Sequence, residues 1–71
     1  MKESFGNFIK TLRVENNLTL TQLAAKLDLD SANLSKIENG KRDFDEKRLI
    51  LLSETFDIEI DEIKKEFFGD I

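Results

Sequence analysis

Between Ser31 and Arg42 the chain reads SANLSKIENGKR, and the polar side chains of this stretch are the ones with chemistry to offer. On a helical wheel with Ser31 at zero and about 100° per residue, Leu34 falls near 300° and Ile37 near 240°, so a core would lie at about 270°. Ala32, Ser35, Lys36 and Asn39 then centre on the opposite side, Ser31 lies at its edge, and Asn33 and Glu38 flank the core. That outer face is slim, with one long cation and several uncharged hydrogen-bonding groups. It suits a helix entering the major groove of duplex DNA, where side chains must come close to base edges. Lys36 can donate to guanine O6 or N7, Asn33 and Asn39 can pair with adenine or with phosphate, and Ala32 can touch a thymine methyl. An ordinary solvated helix face has the same composition, and the wheel alone does not separate the two.

The elements that must position this face are helices. Pro is absent, only three Gly occur, and Phe, Leu and Ile recur every three or four residues without sustained alternation. The first helix is expected over about Ser4 to Glu15 with Ser4 as N-cap, Phe5, Phe8, Ile9 and Leu12 on one stripe, and Asn16-Asn17 as its end. Thr19-Leu20-Thr21-Gln22 fits a capping box, so a second helix starts at Leu20 and turns Leu23, Ala24 and Leu27 inward. Asp28-Leu29-Asp30 makes a turn, with Leu29 able to drop into the core and Asp30 capping the third helix, about Ser31 to Asn39. Gly40 sits where a C-terminal cap needs positive φ, and Lys41 and Arg42 follow. Asp45 caps a fourth helix, about Glu46 to Phe56, with Leu49, Leu52 and Phe56 inward. A weaker acidic cap at Glu59 to Glu62 opens a fifth, about Ile60 to Phe68, with Ile60, Ile63 and Phe67 on one stripe.

Composition narrows the function classes. Seventy-one residues make one domain, residues 1–71, burying about 60% of the surface its unfolded chain exposes. With no Cys and no His there is no disulfide framework and no thiolate or imidazole metal site, so packing alone must hold the core. Neither a signal-like apolar start nor a run of 18 apolar residues occurs, and a soluble, unprocessed cytoplasmic chain is expected. The net charge of −4 is unevenly spread. Residues 1–42 carry seven Lys/Arg against five Asp/Glu, and residues 43–71 carry four against ten. A DNA-facing surface on the N-terminal side is therefore compatible with an acidic chain. No catalytic constellation, phosphate-cradling Gly loop, cofactor motif or small-molecule site is evident, so an enzyme is not expected.

Taken together, residues 5 to 63 resemble the phage-repressor and Cro-like helix-turn-helix family, also called the XRE family. The matching residues are Ile9, Leu12, Arg13, Leu18-Thr19, Leu23-Ala24, Leu27, Leu29, the run Leu34 to Arg42, and Leu49, Leu52, Phe56 and Ile63. The resemblance implies an all-α, compact five-helix lambda-repressor-like domain of bacterial or phage type, with the helix-turn-helix over residues 19–39 at helices 2 and 3. It implies base contacts from Ser31, Ala32, Asn33 and Lys36, with Ser35 on the same face. Backbone contacts would come from Asn39, Lys41 and Arg42, and from the start of the second helix, where Thr19 and Thr21 add hydroxyls. It also implies a structural ion pair between Arg13 and Glu38. Three positions depart from the family. Leu20 replaces a frequent Gln that touches phosphate, Asp28 replaces the usual turn Gly and must adopt left-handed geometry, and Phe44 replaces a frequent Pro.

Dimers of this class place two reading helices one turn of DNA apart, about 34 Å. A dimer surface should show as apolar residues left over from the core. Ile50, Leu51, Phe67, Phe68 and Ile71 supply that surplus within residues 46–71. The resulting expectation is a homodimer that binds double-stranded DNA at a palindromic operator and regulates transcription, like Cro-like repressors or the controllers of restriction–modification systems. The alternative is a protein-interaction module, such as an antitoxin-like partner whose acidic half meets a basic protein.

Overall fold

Four helices of this chain end in the same way. A residue in the left-handed region closes each one: Asn17 (φ 58°), Asp28 (φ 58°), Gly40 (φ 74°) and Asp57 (φ 54°). The N–H of the next residue then reaches back five positions, from Leu18 to the Arg13 carbonyl, Leu29 to Ala24, Lys41 to Lys36 and Ile58 to Ser53, at 2.8–3.0 Å. These are Schellman closures, which satisfy carbonyls that a helix end leaves without partners. Leu18, Leu29 and Ile58 each turn inward and pack against the core. At the third closure the corresponding residue is Lys41, which stays in solvent.

The computed structural model describes residues 2–69, and among them it contains α1 (Lys2–Glu15), α2 (Leu20–Lys26), α3 (Ser31–Glu38), α4 (Glu46–Phe56) and α5 (Ile60–Phe68), with no strand. Ile71, one of the expected dimer-surface residues, lies outside the described residues. Helix starts follow the expected caps at α2, α3 and α4 and depart from them at α5 and α1. Thr19 and Gln22 form both hydrogen bonds of a capping box, at 2.9 and 3.1 Å. Asp30 Oδ1 accepts from the Asn33 N–H at 2.7 Å and Asp45 Oδ1 from the Arg48 N–H at 2.9 Å. Glu59 starts α5 without a side-chain cap. Ser4, expected to cap the first helix, lies inside α1 because the helix begins at Lys2. Lys and Glu are good helix formers, and continuing the helix through them outweighs a cap interaction of about 1 kcal/mol.

The core gathers Phe5 and Ile9 from α1, Leu23, Ala24 and Leu27 from α2, Leu34 and Ile37 from α3, Leu49 and Leu52 from α4, and Ile63 from α5. The far ends of the expected first stripe, Phe8 and Leu12, are only half-buried. Phe44, in the connection between α3 and α4, is buried as well. Its ring lies 5.5 Å from that of Phe5, edge to face, and Phe67 of α5 meets Phe5 from another side at 4.9 Å. Phe5 thus joins the first helix, the exit of α3 and the last helix, each aromatic pair adding about 0.5–1.5 kcal/mol beyond burial. Phe44, expected as a departure from the resembled family, is an anchor for the α3–α4 connection.

Candidate nucleic-acid interface

The reading face of α3 is only useful if the helix is held rigidly; Arg13 holds it directly, and Arg48 fixes the end of α2 that leads into it. Arg13, in the last turn of α1, donates from Nε to Glu38 Oε2 at 2.7 Å and from Nη2 to Oε1 at 3.2 Å. Its remaining Nη1 donates to the Leu18 carbonyl at 3.0 Å. One guanidinium therefore joins the end of α1, the α1–α2 turn and the last turn of α3. Glu38 is buried, 7% exposed, and both of its carboxylate oxygens are met by this bidentate partner.

Close approach of α1 to α3 makes that reach possible, and Gly6 permits the approach. A Cβ at Gly6 would stand 2.5 Å from the carbonyl oxygens of both Ile37 and Glu38. Nothing in the local sequence marks Gly6; its one signal is a Gly inside an otherwise regular helical pattern.

Arg48, in the first turn of α4, braces the end of α2. Nε donates to the Leu27 carbonyl at 3.2 Å and Nη2 to the Asp28 carbonyl at 2.8 Å, so the side chain caps the C-terminal end of α2 from outside. Nη1 donates to Asp45 Oδ2 at 3.2 Å, which anchors the guanidinium to the cap of its own helix. Lys47 also reaches Asp28, at 3.4 Å, but both side chains are well exposed and the pair contributes little. Neither Gly6 nor Arg48 belongs to the residues singled out from the sequence.

On the face thus held, Ala32, Lys36 and Asn39 are exposed, and Ser31, Asn33 and Ser35 are half-buried. Lys36 has no hydrogen-bond or ion-pair partner among the described residues, which leaves its three donors to solvent. Asn39 Nδ2 leans toward Ser35 Oγ at 3.5 Å. Gly40 turns the chain back beside α3, and the Arg42 Nη1 donates to Asn33 Oδ1. Lys41 is exposed. At the start of α2, Thr19 Oγ1 accepts the Gln22 N–H and keeps its own hydroxyl hydrogen free to donate, while Thr21 is exposed beside it. Leu20 leans onto the core instead of offering a polar group.

The apolar surplus lies elsewhere. Ile50 is 46% and Phe68 62% exposed. Leu51 and Phe67 are half-buried against the core, and the Phe67 ring lies between Phe5 and Phe68, whose centroid is 5.0 Å away. Val14, on α1, is a further exposed apolar side chain. Among the described residues no group of three or more His, Cys, Asp or Glu is placed to hold a metal ion. No helix among them is long and apolar enough to cross a membrane.

Comparison with known proteins places this arrangement. The HTH-type transcriptional repressor RghR of Bacillus subtilis is 50% identical over 40 residues, which are 56% of this chain and 30% of that protein. The chain therefore spans less than a third of the repressor's length. Control protein C.MunI of a Mycoplasma species is 39% identical over 72 residues, covering all of this chain and 92% of that protein. Among solved structures, the clp gene regulator ClgR of Corynebacterium glutamicum superposes with a TM-score of 0.80 over 96% of this chain and 72% of its own; at 20% identity the likeness bears on the fold. The helix-turn-helix family model matches residues 9–63, which span both braced helices and run on into α5. The chain belongs to the helix-turn-helix family, in its phage-repressor and Cro-like, XRE-type branch.

Proposed function

We propose that the chain is a sequence-specific DNA-binding transcription regulator that acts as a homodimer on a palindromic operator, with α3 in the major groove. The observation that carries this reading is the exposed polar face of α3, tied to α1 through Arg13 and Glu38 and preceded by an α2 end that Arg48 caps, in a chain of the helix-turn-helix family. Lys36, Asn33, Ala32 and Ser31 face the base edges, with Ser35 beside them. Lys41, Arg42, Asn39 and the hydroxyls of Thr19 and Thr21 hold phosphates. The reading side chains are short, so water and DNA shape share in discrimination with direct contacts. Alignment over the whole chain with a protein named as a control protein supports a regulator of the Cro-like or controller type. Such a regulator works in the bacterial cytoplasm and carries out no catalysis.

The two-fold surface in this reading is the outer side of α4 and α5, around Ile50 and Phe68, which stand in solvent, and the half-buried Leu51. Single modules of this size make few base contacts, and doubling them across a two-fold axis multiplies specificity.

Binding to a pool of promoter fragments across a salt series tests the regulator reading. Affinity for a preferred fragment should fall steeply with salt and exceed background by at least about 10³. Equal binding to all fragments would instead favour an interaction module that uses the acidic half. Sedimentation of the purified chain tests the dimer: a two-fold species is expected, reduced to monomer by Phe68→Ser, and a strict monomer at high micromolar concentration removes the α4–α5 surface from the reading.

A further inference from the structure

Asn33 and Arg42 belong to different parts of the proposed interface, one to the reading helix and one to the exit after it, yet they are joined. Gly40 takes the left-handed conformation (φ 74°), and the Lys41 N–H seals the turn on the Lys36 carbonyl at 2.8 Å. The chain therefore runs back along α3, and the Arg42 Nη1 donates to Asn33 Oδ1. The Asn33 backbone is fixed in turn, because its N–H is bound by the Asp30 cap at 2.7 Å.

We infer that Arg42 is a specificity-determining residue that acts through Asn33, fixing which edge of its amide faces the DNA; this rests on the regulator reading above. A side-chain amide has an acceptor edge and a donor edge, exchanged by a half-turn about its terminal torsion. Arginine has donors only. The amide orientation is consequently not interchangeable here: Arg42 can engage Oδ1 and never Nδ2. Nδ2 keeps both hydrogens, with no partner among the described residues.

The consequence is a change in what Asn33 reads. A free Asn prefers adenine, accepting from N6 and donating to N7 at once. With one Oδ1 lone pair engaged and that edge turned to Arg42, Asn33 presents its Nδ2 donors, which match guanine O6 and N7 or thymine O4. Lys36 lies one turn further along the same side of α3 and also offers only donors, so the pair favours a groove edge of successive acceptors. Arg42 retains Nε and Nη2 for a phosphate, so positioning Asn33 and holding the backbone are compatible roles.

Selection of bound duplexes from a random pool, at low salt so that loss of a phosphate contact does not abolish recovery, tests this. The wild-type chain, Asn33→Ala, Asn33→Asp and Arg42→Met are compared. Asn33→Ala should relax one position of each half-site. Arg42→Met should shift preference at that same position toward adenine by about fivefold or more, and Asn33→Asp, an acceptor on both edges, should turn it toward cytosine. If Arg42→Met weakens all sequences equally and leaves the preference profile intact, Arg42 is a phosphate contact alone and the inference falls. A wild-type chain with no preference at all would overturn the regulator reading itself, a distinguishable result.

Discussion

The Arg13 guanidinium holds the Glu38 carboxylate through two hydrogen bonds, at 2.7 and 3.2 Å, between the last turn of α1 and the last turn of α3. Both side chains are largely withdrawn from water, 14% and 5% exposed. Such pairs add little net stability compared with a well-packed apolar pair, but removing one partner strands a buried charge. Their structural value here is orientation: the third Arg13 contact, to the Leu18 carbonyl, ties the start of the helix-turn-helix to its end.

Arg13→Leu should therefore cost about 3–5 kcal/mol in urea denaturation, because Glu38 stays buried without a partner. For a domain of this size, total stability is about 4–10 kcal/mol, so the variant approaches unfolding. The double variant with Glu38→Leu should recover most of the loss. A single-variant loss below about 1 kcal/mol would show that water replaces Arg13 freely.

Gly6→Ala should destabilise by about 1–3 kcal/mol even though alanine is the better helix former by about 1 kcal/mol. The added methyl meets two backbone carbonyls at 2.5 Å, and backbone cannot rotate away as a side chain can. Asn7→Ala, at the exposed neighbouring position, should be neutral or slightly stabilising. Chemical denaturation midpoints at constant m-value separate the two, and a stabilised Gly6→Ala would mean that α1 does not press on α3 in solution.

Arg48→Ala should lower stability by about 1–3 kcal/mol, since the Leu27 and Asp28 carbonyls lose their donors. Lys47→Ala, adjacent in sequence and also directed at Asp28, should stay within about 0.5 kcal/mol. Thermal unfolding of the two variants side by side checks the contrast, and equal effects would place the Arg48 contribution in general charge balance.

In DNA binding, Lys36→Ala should cost about 1–3 kcal/mol and relax one position of each half-site. Lys41→Ala should weaken all sequences alike and lower the salt slope by about one. Competition binding against operator variants reads both effects. If Lys36→Ala behaved like Lys41→Ala, the reading face of α3 would be rotated from its proposed position.

Most features that rest on interactions within about five residues are legible in the local sequence. The Thr19–Gln22 capping box, the Asp30 and Asp45 caps, and the left-handed closures at Asn17 and Gly40 are written in adjacent residues, because helix ends are satisfied by their immediate neighbours, whereas the closure at Asp28 follows from the family resemblance and the one at Asp57 carries no such signal. Helical periodicity likewise assigns Ile9, Leu23, Leu27, Leu34, Leu52 and Ile63 to the interior. The Ser4 cap misled because a local preference of about 1 kcal/mol yields to two further good helix formers. The Arg13–Glu38 pair, 25 residues apart, was legible only through resemblance to a family, not from spacing. Only the tertiary structure decided the rest. Gly6 matters through the carbonyls of Ile37 and Glu38, Arg48 through the end of a helix 20 residues earlier, Phe44 through the ring of Phe5, and Arg42 through Asn33 across a turn. Each of these depends on how closely two separated segments approach, and no one-dimensional pattern encodes that distance.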